Sequence, residues 1–78
     1  MNWSYRVEIN PAVMLGKPVI RGTRVPVELI LRRISEGATE SDLLESYPHL
    51  TPDDIRAAVG FAADLLAEEE TLEPAVSG

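Results

Sequence analysis

The hydrophobic period of this chain changes once, at Pro26, and that change limits the folds open to it. Upstream, Trp3, Tyr5, Val7 and Ile9 alternate with Ser4, Arg6, Glu8 and Asn10. A period of two, rich in aromatic and β-branched residues, predicts a half-buried strand that Pro11 ends. Gly16 and Pro18 then mark a break. The stretch "PVIRGTRVPV" reads as two short extended pieces around Arg21-Gly22-Thr23-Arg24. Gly22 supplies positive φ in the bend, and Pro26 cannot donate in a ladder, so an edge hairpin or ribbon is expected.

From Val27 the period becomes helical. Val27, Ile30, Leu31 and Ile34 share one face, and Gly37 stops the helix. Thr39 opens a second helix, with Asp42 placed for a capping box and Leu43, Leu44 and Tyr47 facing inward before Pro48. Thr51 caps a third. Pro52 sits at its first position, and Asp53 and Asp54 suit the positive helix end. Ile55, Ala58, Val59, Ala62, Leu65 and Leu66 are expected to form its buried stripe. A short helix and a longer one joined by a tight turn is the helix-turn-helix pattern.

The fold class is therefore mainly α with a small N-terminal β element: a strand and β-ribbon followed by three helices. Seventy-eight residues allow one domain. Its expected span is residues 1–67, with strand and basic ribbon over 1–26 and helices over 27–67. An acidic, flexible tail is expected over 68–78, best read as a solubilising end. No apolar run approaches the roughly 20 residues of a membrane span, and no leader pattern opens the chain, so a soluble cytoplasmic protein is expected.

Charge divides the chain. Residues 1–35 carry Arg6, Lys17, Arg21, Arg24, Arg32 and Arg33 against Glu8 and Glu28, a net of +4. Residues 36–78 carry Arg56 against eleven carboxylates, a net of −10. That division suggests two charged surfaces with different tasks, and equally fits uneven charge that only keeps a small protein soluble. Arg32 has a local partner in Glu28, four residues earlier. Lys17, Arg21 and Arg24 lie on a stiff, Pro-flanked ribbon that can clamp phosphates or pair with carboxylates of a partner. An ion pair to the protein's own acidic helices is an equally good use for Arg24. Arg33 faces outward beside Leu29, and the pair is a candidate contact patch, although single exposed apolar residues are common.

Catalysis finds little support. There is no cysteine, the one histidine, His49, sits in a turn, and Ser4, Ser35, Ser41, Ser46 and Ser77 have no base nearby in sequence. No zinc or calcium spacing is present, and the helix N-terminus already explains Asp53-Asp54. The chain reads as a non-enzyme without metal or cofactor. Projecting the third helix at about 100° per residue leaves Asp53, Arg56, Ala57, Gly60 and Asp64 facing away from the core. That face is poor in base-reading side chains. Its small residues, Ala57 and Gly60, would let another helix approach, so Arg56, Ala57 and Gly60 are candidate contacts with a partner or a second copy. An edge strand at the N-terminus offers another route to a homodimer.

Two motifs resemble a known family. Gly16-Lys17-Pro18 with Ile20-Arg21-Gly22-Thr23-Arg24, then Tyr47-Pro48 with Leu50-Thr51 leading into Asp54-Ile55 and Ala57, are similar to the prokaryotic domain-of-unknown-function 433 family. The likeness runs from Arg6 to Ala63; Ala38 departs from it, where a larger apolar residue is usual. The resemblance implies a homeodomain-like helix-turn-helix. It also implies the antitoxin half of a type II toxin-antitoxin pair, with a PIN-like nuclease toxin as partner; repression of its own operon through operator DNA is a further expectation of that reading. The alternatives are a stand-alone DNA-binding regulator and a dimeric interaction module without nucleic-acid contact.

Overall fold

A computed structural model describes residues 2–68; of the tail expected over 68–78, Glu68 ends the last helix and the remainder lies outside the described residues. The chain opens with a 3-10 turn, Trp3–Tyr5, and then forms strand β1, Val7–Glu8. A second 3-10 turn, Met14–Gly16, precedes strand β2, Val19–Ile20. Three helices follow: α1 over Val27–Ser35, α2 over Glu40–Ser46 and α3 over Pro52–Glu68. The fold is mainly helical with a two-stranded antiparallel sheet, in the order the sequence predicts.

The first strand is shorter than its alternation suggests. The Asn2 side chain accepts from the Ser4 amide at 2.9 Å and stabilises a turn where Trp3–Tyr5 would have extended the ladder. Pairing is confined to Val7 opposite Ile20 and Glu8 opposite Val19. Of the four residues read as one inner face, Val7 is buried and Trp3 half-buried, whereas Tyr5 and Ile9 are exposed. Beyond β2 the ribbon reading holds. Ile20 N donates to Val25 O at 3.0 Å and Val27 N to Pro18 O at 2.9 Å, closing a hairpin around residues 21–24.

Local signals set the helix ends. Gly37, at φ +100°, ends α1. Ala38 N donates to Arg33 O and Gly37 N to Ile34 O, which is the paired 6→1 and 5→2 pattern of a Schellman cap. Thr39 and Asp42 exchange hydrogen bonds of 3.1 and 2.9 Å in a capping box, and Thr51 and Asp54 do the same at 3.2 and 3.0 Å.

The core gathers Val7, Ile20, Val27, Ile30, Leu43, Leu50, Ile55, Ala57 and Ala58. Burying a side chain such as Ile30 or Leu43 contributes about 1.5–3 kcal/mol. One element departs from its predicted phase. Val59, Leu65 and Leu66 of α3, expected inside, are exposed, whereas Ala57, expected outside, is fully buried. The cause is the N-terminal turn, which packs on α3. Trp3 meets Phe61 edge-on, with centroids 4.8 Å apart and rings at 88°, and its indole N–H donates to Asp64 at 2.6 Å. A residue with the bulk of Trp3 needs a small neighbour on the helix, and Gly60, where a Cβ would stand 3.7 Å from Trp3 Cδ1, supplies it.

Candidate contact surface on the basic hairpin

The hairpin between β2 and α1 is built to be stiff. Thr23 N and Thr23 Oγ1 both donate to Ile20 O, at 3.0 and 2.7 Å, and the same hydroxyl accepts from Val25 N at 3.0 Å. Gly22 takes φ +83°, which a residue with a Cβ adopts only with strain. Pro26 fixes φ where the hairpin enters α1. Arg21 is held at two points: its amide donates to Arg6 O at 2.7 Å and its Nε to Tyr5 O at 3.1 Å. The rest of the Arg21 guanidinium therefore points from a fixed base. Arg24, across the turn, is exposed and has no carboxylate within ion-pair distance among the described residues.

The other candidate contacts divide sharply. Lys17 lies 3.5 Å from Glu28 Oε1, and Arg32 reaches Glu28 Oε2 at 3.2 Å, so one carboxylate serves two cations. The Arg32 hydrogen bond, with the nearby Lys17 charge, holds the Glu28 carboxyl below its ordinary value. Arg56 pairs with Asp53 at 3.7 Å. Arg33 is half-buried and has no ion pair among the described residues; it lines an open cleft with Glu36, Gly37, Ala38 and Asp42. Ala57, expected on the outer face, lies in the core and is closed to a partner, whereas Gly60 is half-buried, with Trp3 Cδ1 3.7 Å from where a Cβ would stand.

Arg6 is the residue that sequence reasoning missed. It reaches Asp54 Oδ1 at 3.1 Å and Asp53 Oδ2 at 3.6 Å, straddling the N-terminus of α3. The Asp54 side chain is only 9% exposed and Asp53 is bridged from both sides, so these carboxylates present less bare charge than their position suggests. Only an excess of unmatched cations near the N-terminus hinted at such a clamp. A pairing across 48 residues has no local signature.

Among the described residues no three His, Asp or Glu side chains are grouped to hold a metal ion, and no helix is long and apolar enough to cross a membrane. What the fold and surface define is a small helical protein that carries a rigid cationic hairpin. The chain belongs to the family described as "Protein of unknown function (DUF433)", whose model matches residues 7–62. It is 38% identical over 56 residues to "Uncharacterized protein y4eO" of Sinorhizobium fredii (strain NBRC 101917 / NGR234). That alignment takes in 72% of this chain but spans only 25% of the relative's length. A crystal structure of a DUF433 member protein from Anabaena variabilis ATCC 29413 superposes with a TM-score of 0.75 at 32% identity. It covers 85% of this chain and 65% of that one.

Proposed function

We propose that the protein is the antitoxin of a type II toxin-antitoxin pair, with a homeodomain-like helix-turn-helix in α2 and α3. It acts by binding, not by catalysis. It inserts its hairpin into the active site of a cognate PIN-like nuclease toxin and neutralises it. The observation that carries this reading is the pairing of a pinned Arg21 with an Arg24 that has no carboxylate partner among the described residues. Planar guanidinium groups on a stiff support lose little entropy on binding and form bidentate pairs with carboxylates. A nuclease that holds catalytic metal ions with clustered carboxylates offers that chemistry.

The test is co-purification with the product of the adjacent reading frame, followed by a ribonuclease assay with and without this chain. Association and loss of activity are expected. Arg21→Glu with Arg24→Glu should weaken the complex about a hundredfold or more, since each well-placed charge pair is worth about 2–5 kcal/mol. Unchanged affinity in the double variant would sink the reading.

Operator DNA is the second target, for autoregulation alone or with the toxin. The support is that Arg6 and Arg56 compensate Asp53 while Asp54 is buried, which removes much of the repulsion between α3 and phosphates. Strongly salt-dependent binding to upstream DNA by the protein alone would favour the stand-alone regulator. Self-association through exposed Val59, Leu65 and Leu66, with no nucleic-acid binding, would favour the dimeric interaction module.

A further inference from the structure

We propose that the loop between β1 and β2, residues 9–18, docks this chain onto a second protein. That protein receives Leu15 in an apolar pocket with carboxylates at its mouth. This surface lies beyond the hairpin reading. In the antiparallel ladder, Val7 opposes Ile20 and Glu8 opposes Val19, so the loop leaves from one end and the Arg21–Arg24 turn from the other.

The loop's conformation is costly and its order is not accidental. Met14, Leu15 and Gly16 have φ of +53°, +57° and +83°, three left-handed residues in a row. Only the glycine adopts that region without a steric penalty. A chain shaped for its own stability would place Gly or Asn at the first two positions. Leu15 is instead 94% exposed, so burial within this protein does not offset the penalty. Hydrogen bonds nevertheless fix the loop. Ala12 N donates to Asn10 Oδ1 at 2.9 Å and Val13 N to Asn10 O at 2.8 Å. Gly16 N donates to Val13 O and Lys17 N to Met14 O, both at 3.1 Å. Ile9 and Met14 of the same loop are exposed as well. A fixed, strained turn that presents an aliphatic side chain to solvent has the form of an anchor, organised before its pocket arrives.

The shape and charge of the surroundings select the occupant. A convex knob needs a concavity, and the cleft between α1 and α2 among the described residues is lined by Arg33, Glu36, Gly37, Ala38 and Asp42, too polar to receive a leucine. Lys17, the one charged residue within residues 9–18 and two after Leu15, shares the single carboxylate of Glu28 with Arg32, so the charge beside the leucine is cationic and only partly matched. Carboxylates at the pocket's mouth complement it. An anionic lipid surface is disfavoured by the net charge of −6.

The experiment places a photo-crosslinking amino acid at position 15 of the full chain in its native cells, with the exposed Ser41 as control site. The adduct is identified by mass spectrometry. The identified protein is then purified and titrated against wild type, Leu15→Gly and Leu15→Asn. A heterologous protein adduct specific to position 15 is expected. Both variants should lose affinity roughly tenfold or more, the scale of a buried anchor residue. Their melting temperatures should equal or exceed that of wild type, because both residues relieve the left-handed strain. The proposal is overturned by adducts only with copies of this chain, only with lipid, or with nothing. It is also overturned if both variants bind as wild type does, or if they melt several degrees lower, which would make Leu15 a structural residue. An affinity that Arg21→Glu with Arg24→Glu leaves unchanged would show that the two surfaces act separately.

Discussion

Gly60 shows how one residue can mislead. In mid-helix, with its neighbours Arg56 and Asp64 polar, it reads as part of a smooth outer strip. In the fold it lies beneath the Trp3 indole, and a Cβ there would stand 3.7 Å from Trp3 Cδ1, an ordinary van der Waals contact. Glycine is thus not required at this position, and it costs about 1 kcal/mol in a helix relative to alanine. Gly60→Ala is expected to raise the melting temperature by about 4–8 °C, the usual response of a domain this size to 1 kcal/mol. Thermal denaturation followed by circular dichroism checks this; a fall in melting temperature would mean that Trp3 sits closer than the geometry allows.

At the scale of elements, the N-terminal segment is a clasp on α3 rather than the edge of a sheet. It holds at two places about 15 Å apart by the helical rise: Arg6 at the N-terminus, and Trp3 against Phe61 and Asp64 further along. The Arg6 end matters because Asp54 is buried while it caps α3 through Thr51. Removing Arg6 strands a buried carboxylate, a loss that can reach several kcal/mol when both partners are sealed from water. The Arg6 side chain is 38% exposed, so the expectation for Arg6→Ala is smaller, about 1–2 kcal/mol. Urea unfolding of Arg6→Ala, Asp54→Asn and the double variant measures the coupling. Additive losses would show that the clamp contributes nothing as a pair.

For the whole molecule, the acid limit of stability follows from carboxylates held in their charged form. The Asp42 carboxyl lies below its ordinary value of 3.8 because it accepts from the Thr39 backbone N–H. Glu28 lies below 4.5 because of its hydrogen bond to Arg32 and the Lys17 charge. A carboxylate whose value is lower in the folded than in the unfolded chain stabilises above its unfolded value. That stabilisation is lost as pH falls through the folded value. Melting temperature is therefore expected to be flat at neutral pH and to decline below about pH 4. Asp42→Asn with Glu28→Gln should melt lower than wild type at neutral pH and show a shallower acid decline. Parallel acid limbs would place the origin in other carboxylates.

Much of this protein is written locally. The change of period at Pro26, the Thr39 and Thr51 caps, the Gly37 stop, the Gly22 bend and the Glu28–Arg32 pair all depend on residues within a turn or two of one another. Their physics acts in any context that lets a helix or hairpin form. The family, too, was legible, because its motifs are short and contiguous. What tertiary structure decided is how these elements face each other. Trp3–Asn10 alternates like a strand, but the Asn2 side chain and the fit of Trp3 on α3 turn half of it into a 3-10 turn. Apolar Val59 and Leu66 match the stripe of α3 yet are exposed, whereas small Ala57 lies in the core and Gly60 is half-buried beside the Trp3 indole. Arg6 finds its carboxylates 47 and 48 residues away, and Lys17, read as a contact, closes on Glu28. Periodicity reports which residues can be buried; complementarity of size and charge between distant segments decides which of them are.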